Sequence, residues 1–172
     1  MLHKALLLLV FSCLVATANA QSLQEIDKRD AAVIEAWNAT PLTVRKAVFV
    51  SEHPSGYGEY AERKNNIFKQ GEKLVVYAEP VGYGWKDGGG GQYQFGFKVD
   101  FVVKAADGKV LGGQENFADM TQTSQMRNRE FMVVLTLSLS DAPPGDYVVE
   151  YKLHDIASDK TATFSLPFKI AA

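Results

Sequence analysis

The sequence predicts an all-β protein: a seven-stranded antiparallel immunoglobulin-like sandwich preceded by one N-terminal α-helix. From residue 43 onward hydrophobic and polar residues alternate, which is typical of strands with one buried and one solvated face. Glycine, proline and aspartate separate the alternating segments, as they do at turns. No segment with helical periodicity interrupts the strands, which favours two facing antiparallel sheets over a parallel α/β fold.

The composition is that of an ordinary globular protein. Of the 172 residues, 47% are hydrophobic and 22% are charged, and eighteen lysines and arginines oppose twenty aspartates and glutamates. The net charge of −2 argues against a broad electrostatic grip on nucleic acid, because phosphate binding requires clustered basic residues. We therefore expect no nucleic-acid partner.

Residues 1–20 have the pattern of a cleaved secretory signal peptide. Lys4 supplies a basic start, residues 5–15 are apolar, and Ala18-Asn19-Ala20 is a small-x-small cleavage site. The apolar run is shorter than the roughly 20 residues that span a bilayer as a helix. The pattern predicts an exported protein, periplasmic or secreted.

A lipoprotein signal cut before Cys13 is the alternative, but Phe11 is too bulky for that motif. Cleavage after Ala20 removes the single cysteine of the chain, so no disulfide is expected to support the fold. No later apolar segment approaches membrane-spanning length, so we expect no transmembrane segment.

A helix is predicted over residues 21–38. Ser22 and Glu25 fit a capping box, and hydrophobic residues recur at helical spacing after them. Pro41 ends the helix, because the residue before a proline avoids helical geometry. We divide the chain into a signal peptide (1–20), the N-terminal helix and linker (21–42) and the β-sandwich domain (43–172).

The β-sandwich domain contains seven predicted strands. The clearest is the third, in which Phe95, Phe97 and Val99 alternate with polar residues. Asp107-Gly108 predicts a hairpin turn after it, and Pro143-Pro144-Gly145 fits a type II turn. The predicted strands cover residues 44–50, 73–79, 94–104, 109–117, 130–140, 146–154 and 161–170.

Two of these strands are expected to be irregular. Gly112-Gly113 lies inside the fourth strand and predicts a bulge. Pro167 lies inside the seventh and cannot donate a hydrogen bond to a neighbouring strand. The seventh strand is therefore predicted to lie at a sheet edge or to carry a bulge.

Two motifs resemble known β-sandwich families. Residues 143–151, Pro-Pro-Gly-Asp-Tyr-Val-Val-Glu-Tyr, resemble the turn and penultimate strand of bacterial immunoglobulin-like and fibronectin-like modules. The pattern from Phe68 through Gly71-Glu72 to Tyr77 resembles an early strand of macroglobulin-type sandwich domains. The whole chain is similar to uncharacterised exported bacterial proteins. The resemblance implies a fold and carries no family site residue onto this sequence.

Residues 51–93 stand out because they hold nine of the fourteen glycines and several aromatic residues outside the predicted strands. Aromatic rings on glycine-bracketed loops are typical of binding surfaces, since they offer contact area at low entropic cost. The alternative is that the rings cover the ends of the sandwich and complete its core. The rings are those of Tyr57, Tyr60, Tyr83, Trp85 and Tyr93.

Tyr83 and Trp85 are predicted to lie at the centre of a contact surface. Successive loops of an antiparallel sandwich alternate between its two ends, so the loop that carries these rings shares an end with two later loops. Those later loops add charged residues that can orient a polar ligand: Arg127, Arg129 and Asp155.

Tyr57 and Tyr60 are predicted to lie at the opposite end. They can join the contact surface only if residues 51–71, which are long for a loop, run back along the sandwich. On that condition they are candidate binding residues.

The expected function is that of a noncatalytic binding module that contacts a protein partner in the cell envelope. A small polar ligand such as a carbohydrate is the main alternative. Pairing of an edge strand with another exported protein and hydrolysis by two facing carboxylates are further alternatives.

No catalytic residue, metal site or cofactor is predicted. His53 and His154 are the histidines beyond the signal peptide, and they do not have the spacing of metal ligands. Residues 88–91 are four glycines, but the Gly-Lys-Ser/Thr of a phosphate-binding loop does not follow them.

Overall fold

The computed structural model describes residues 22–172, so the predicted signal peptide lies outside the described residues. The described chain begins with one helix, α1 (Leu23–Ala39). Its N-terminus is capped by Ser22, whose side-chain oxygen accepts a hydrogen bond from the Glu25 backbone N–H at 3.3 Å. The predicted helix is confirmed, with small shifts at both ends. Within the described part of the chain, no helix is long and apolar enough to cross a membrane.

Nine strands follow the helix. They are β1 (Thr43–Val50), β2 (Ile67–Phe68), β3 (Lys73–Val81), β4 (Lys86–Gly89), β5 (Gln92–Ala105), β6 (Val110–Ser124), β7 (Val133–Ser138), β8 (Gly145–Asp155) and β9 (Thr161–Ile170). Seven of them coincide with the predicted strands. The additions are β2 and β4, because a two-residue strand and a glycine-containing strand lack the alternation on which the prediction depends.

The strands form two sheets. The smaller has three antiparallel strands in the order β1-β3-β7. The larger sheet has six strands, of which β2, β9, β8 and β5 lie side by side in that order. Strand β6 pairs with the other edge of β5. Strand β4 pairs with the first residues of β5, on the same side of β5 as β8. The β2–β9 pair is parallel and spans two residues, whereas every other pair in the described chain is antiparallel. This short pair departs from the fully antiparallel arrangement that was predicted.

One cluster of buried side chains joins the two sheets. Alternate residues of β5 enter it, so Phe97 and Val99 are buried whereas Lys98 between them is exposed to solvent. Leu135 and Leu137 of β7 contribute from the smaller sheet. Full burial of a phenylalanine or leucine side chain stabilises the fold by roughly 1.5–3 kcal/mol. The fold is therefore mostly β, with one helix outside the sheets.

Strand β6 is the largest departure from the predicted elements. It continues to Ser124, seven residues beyond the predicted end at residue 117. Its register against β5 shifts twice, between Val99 and Phe101 and between Val103 and Lys104. The second shift lies beside Gly112, where a bulge was predicted.

The predicted type II turn at residues 143–145 is wrong. Such a turn requires a positive φ at its third position. Gly145 is not among the residues with positive φ, because it opens β8 and pairs with Ile170 of β9 in extended conformation. The expectation for Pro167 holds, since β2 pairs only with the last two residues of β9, Lys169 and Ile170. In the described chain, no strand pairs with that edge of β9 at the proline, where the side-chain amide of Asn66 donates to the Pro167 carbonyl oxygen at 2.9 Å.

Candidate functional site

Tyr83, a centre of the predicted contact surface, lies in the core. Its side chain is 0% exposed, and its ring packs against those of Phe95, Phe97 and Phe131. Its hydroxyl donates a hydrogen bond to the carbonyl oxygen of Asn128 at 2.9 Å. Burial raises the pKa of this phenol well above its ordinary value. The structure therefore supports the alternative in which this ring completes the core.

Trp85 is partly buried beside Tyr83. Its Nε1 donates to the same Asn128 carbonyl oxygen, also at 2.9 Å. Trp37 of α1 completes the group: its Nε1 donates to the Tyr83 carbonyl oxygen at 2.7 Å, and the three ring centroids lie 5.1–5.6 Å apart. We call Trp37, Tyr83 and Trp85 the aromatic cluster. It fastens α1 to the sheets through both ring packing and hydrogen bonds.

Lys160, in the turn between β8 and β9, strengthens this attachment. Its Nζ donates hydrogen bonds of 2.8–2.9 Å to the carbonyl oxygens of Asn38, Thr40 and Gly82. The first two carbonyls lie at the C-terminal end of α1, where the helix dipole favours a cation. One ammonium group thus joins the helix end, the β3–β4 loop and the β8–β9 turn.

Asp155, a predicted binding residue, is a buried carboxylate with an internal role. It accepts hydrogen bonds from the backbone N–H of Gly84 at 2.7 Å and of Ala157 at 2.9 Å, and from the hydroxyl of Ser158. A buried charge requires such partners, because leaving water without them costs several kcal/mol. The carboxylate holds the β3–β4 loop against the β8–β9 turn.

The two predicted arginines also make contacts within the chain. Arg129 forms an ion pair with Asp30 of α1, with 2.8 Å between Nη1 and Oδ1. The guanidinium of Arg127 lies over the ring of Tyr93, 4.9 Å from its centroid. The loops meet at one end of the fold, as loop alternation predicts, but most of their side chains are engaged with one another. Arg127 is the predicted binding residue that remains exposed.

Tyr57 and Tyr60 lie on the outer face of the smaller sheet. The Tyr60 ring stacks on that of Tyr77 with 4.2 Å between centroids, and the Gly58 N–H donates to the Tyr77 hydroxyl at 2.8 Å. Tyr57 donates to Glu79 at 3.4 Å. Burial raises the pKa of Tyr77 to about 12. The long loop therefore runs back along β3, which is the condition for including these two rings, and the rings cover the outer face of the smaller sheet.

A cleft that the sequence did not predict lies at the opposite end of the molecule. It has a volume of about 660 Å³ and opens between β6 and β7, beside the start of β8. We call it the β6–β7 cleft. Its lining is mainly apolar and includes Phe101, Val103, Leu111, Leu137, Leu139 and Tyr147.

The cleft exists because the two sheets differ in width. The smaller sheet ends at β7, whereas the larger sheet continues past it to β6. Leu111, on the part of β6 that overhangs, is 51% exposed, and the neighbouring Val110 is 56% exposed. The core side chains Phe101 and Leu139 are only partly covered there. The core of the protein is therefore open to solvent at this edge.

Two adjacent glycines shape the cleft in different ways. A Cβ atom at Gly113 would lie 2.5 Å from the Phe101 carbonyl oxygen, so only glycine allows β5 and β6 to approach here. A Cβ atom at Gly112 would meet nothing within 4 Å. Gly112 pairs with Val103 in the sheet, and both residues line the cleft. The missing side chain at Gly112 is therefore part of the free volume.

Asp100 and His154 form a hydrogen-bonded polar pair on the outer face of the larger sheet. Asp100 Oδ2 lies 2.6 Å from Nε2 of His154, and Asp100 Oδ1 accepts the Asn116 N–H at 2.8 Å. Burial alone would raise the pKa of Asp100, but these two hydrogen bonds outweigh it and hold the pKa below its ordinary value. Between residues 22 and 172, no three His, Cys, Asp or Glu side chains gather in a metal-binding arrangement.

No protein-family model matches the chain, and no curated protein matches it in sequence. The assignment of a site therefore depends on the geometry of the chain itself. The cleft is formed by segments around residues 101–113 and 137–147, which are far apart in sequence. The one local signal for it is the exposed pair Val110-Leu111 directly before two glycines.

Proposed function

We propose that this protein is an exported, noncatalytic binding module, periplasmic or secreted, and that its ligand site is the β6–β7 cleft. The observation that carries the proposal is an apolar cavity of about 660 Å³ that opens to solvent between the two sheets. Ligand pockets in proteins are typically apolar and about 300–1,000 Å³ in volume. The proposed site is at the opposite end of the molecule from the contact surface that the sequence predicts, because the side chains of the aromatic loops are engaged within the chain.

The ligand is an apolar group, such as an acyl chain or the apolar part of an envelope molecule. Most of the side chains that line the cleft are aliphatic or aromatic, with Ser138 and Asp146 as the polar exceptions, and burying a ligand against them removes apolar surface from water on both sides. Each buried CH₂ group of a ligand contributes roughly 0.8 kcal/mol. An apolar ligand of moderate size therefore binds without charged anchors.

We also propose that the sheets form an immunoglobulin-like sandwich. The two facing sheets, their shared core and the resemblance of residues 143–151 support this. The protein is related to exported bacterial proteins with such domains, and the signal-peptide pattern of residues 1–20 supports its export.

The test is a fluorescence titration of the purified protein with N-phenyl-1-naphthylamine, an apolar fluorophore. Gly112→Leu places an aliphatic side chain in the free volume of the cleft, so we expect it to weaken binding at least tenfold while the melting temperature is kept or raised. Gln114→Leu is the matched control, since Gln114 is an exposed residue of the same strand that does not line the cleft. Its affinity should equal that of the unaltered protein.

Leu111→Ser provides a second variant in case Gly112→Leu fails to fold. Leu111 lines the cleft but is half exposed, so its removal should reduce the affinity several-fold at little cost in stability. The proposal is wrong if the unaltered protein does not bind the fluorophore, or if folded Gly112→Leu and Leu111→Ser variants bind it with unchanged affinity.

A polar cavity on the outer face of the larger sheet favours a small polar ligand as the second candidate. It has a volume of about 330 Å³ and is lined by the charged or ionisable residues Lys86, Lys98, His154, Asp119 and Asp155, together with Gln94, Thr121 and Ile156. Amide, hydroxyl, ammonium and carboxylate groups can orient the hydroxyl groups of a neutral sugar. If this cavity is the ligand site, glucose raises the melting temperature and Lys98→Ala abolishes the increase.

A further inference from the structure

Strand β6 consists of two parts with different edges. In the first part, up to Asn116, the register shifts, two glycines occur, and Asn116 has a φ of 50°. In the second part, residues 118–124 pair with residues 93–99 of β5 in unbroken register. Bulges and irregular backbone protect a sheet edge from pairing with another chain, whereas a regular edge strand does not have this protection.

The outer edge of residues 118–124 is free. Within residues 22–172, β6 pairs with β5 alone, and no strand lies along its other side. Alternate backbone N–H and C=O groups of an edge strand point away from its single neighbour. This segment also contains neither proline nor glycine, which native proteins use to interrupt such an edge.

The charge along this edge is low. Asp119 is the charged residue of the segment, and its cross-strand neighbour on β5 is Lys98. The other side chains are those of threonine, glutamine, serine, alanine and methionine. The edge therefore presents no uncompensated charge to a second strand.

We propose that two copies of this chain pair through residues 118–124 in antiparallel orientation, so that the larger sheets of both copies become one continuous sheet. Antiparallel pairing of identical strands is closed by a two-fold axis, which is the commonest symmetry of protein dimers. With Thr121 on the axis, the threonines of the two copies oppose each other, and Asp119 of one copy opposes Thr123 of the other. Threonine pairs are favourable across strands, and no like charges meet in this register.

The register also explains why this part of β6 pairs and the first part does not. Pairing centred on Thr121 uses residues 118–124 of both copies and stops before Asn116, which has a positive φ and lies where the regular pairing of β6 with β5 is interrupted. The β6–β7 cleft lies beside the unpaired part. The dimer therefore leaves the cleft open, and the two proposals are independent.

Sedimentation velocity of the purified protein at concentrations from 1 to 500 µM tests the proposal. We expect a monomer–dimer equilibrium in this range. Thr121→Lys places two like charges opposite each other at the axis, so we expect it to raise the dimer dissociation constant at least tenfold. Gln114→Lys, on the irregular part of the same strand, is the matched control and should leave the constant unchanged.

A cysteine variant tests the register. In a chain that carries Cys13→Ser, Thr121→Cys should form a disulfide-linked dimer on mild oxidation, and Gln114→Cys should not. The proposal is overturned if the protein is a monomer at every concentration, or if it forms a dimer whose stability is unaffected by Thr121→Lys. Dimerisation through another surface gives this second result.

Discussion

The end of the molecule that holds α1 and the end that holds the β6–β7 cleft differ in how their side chains are used. At the first end, the aromatic cluster, Lys160 and Asp155 contact one another or the backbone, and their hydrogen bonds join segments far apart in sequence. At the second end, apolar side chains of two sheets line a space that no other part of the described chain fills. The aromatic and charged residues at the α1 end therefore stabilise the fold, whereas mainly apolar residues line the accessible site at the other end.

We expect removal of a side chain to lower the free energy of unfolding much more at the α1 end than at the cleft end. Tyr83→Ala should lower the free energy of unfolding by about 3–5 kcal/mol, because it removes a fully buried ring and leaves a cavity. Leu111→Ala at the cleft should change it by less than about 0.5 kcal/mol, since Leu111 is half exposed. Urea denaturation measures both. Similar losses for the two variants would contradict the distinction between the ends.

Lys160 is predicted to have a structural role at the α1 end of the molecule. Lys160→Met should lower the free energy of unfolding by about 2 kcal/mol, since three carbonyl oxygens lose a charged donor. Lys152→Met is the matched control and should have little effect, because Lys152 is an exposed residue of β8. Hydrogen exchange should locate the loss at the C-terminal end of α1. An unchanged exchange rate there would show that the ammonium group does not hold the helix.

Asp100 of β5 accepts a hydrogen bond from Asn116, at the boundary between the two parts of β6, and we expect its substitution to have a smaller, pH-dependent effect. Because folding lowers its pKa, the carboxylate stabilises the fold above its unfolded pKa of about 3.9, and this contribution is lost as the pH falls through the lower folded pKa. Asp100→Asn should therefore cost roughly 1–2 kcal/mol at pH 7 and progressively less below pH 4. Urea denaturation at several pH values measures this. A cost that is the same at pH 7 and pH 3 would contradict the assignment.

The sequence predicted the strands in which hydrophobic and polar residues alternate and the helix that begins with a capping motif. Ser22 and Glu25 indicated the start of α1, and the alternation in β5 indicated its buried face. The second part of β6 was missed because an edge strand with two partly exposed faces carries polar residues on both, so residues 118–124 read as a loop. The strand β4 was missed because its glycines favour a turn in isolation.

The candidate site could not be predicted in the same way. The cleft depends on one sheet being wider than the other, and neither sheet width is a local property of the sequence. The aromatic loops were predicted to bind because Tyr83 and Trp85 lie outside strands. Their partners, Trp37 and the Asn128 carbonyl, are more than 40 residues away along the chain, so these contacts are visible only in the fold.

The most direct test of the proposed site is a titration of ¹⁵N-labelled protein with N-phenyl-1-naphthylamine, followed by amide chemical shifts. The shifts should be largest at Leu111, Gly112 and Leu139, which line the cleft, and should be absent around Trp85 and Arg127. Shifts centred on Trp85 and Arg127, with none at the cleft, would contradict the proposed site and would show that the aromatic loops form the binding surface.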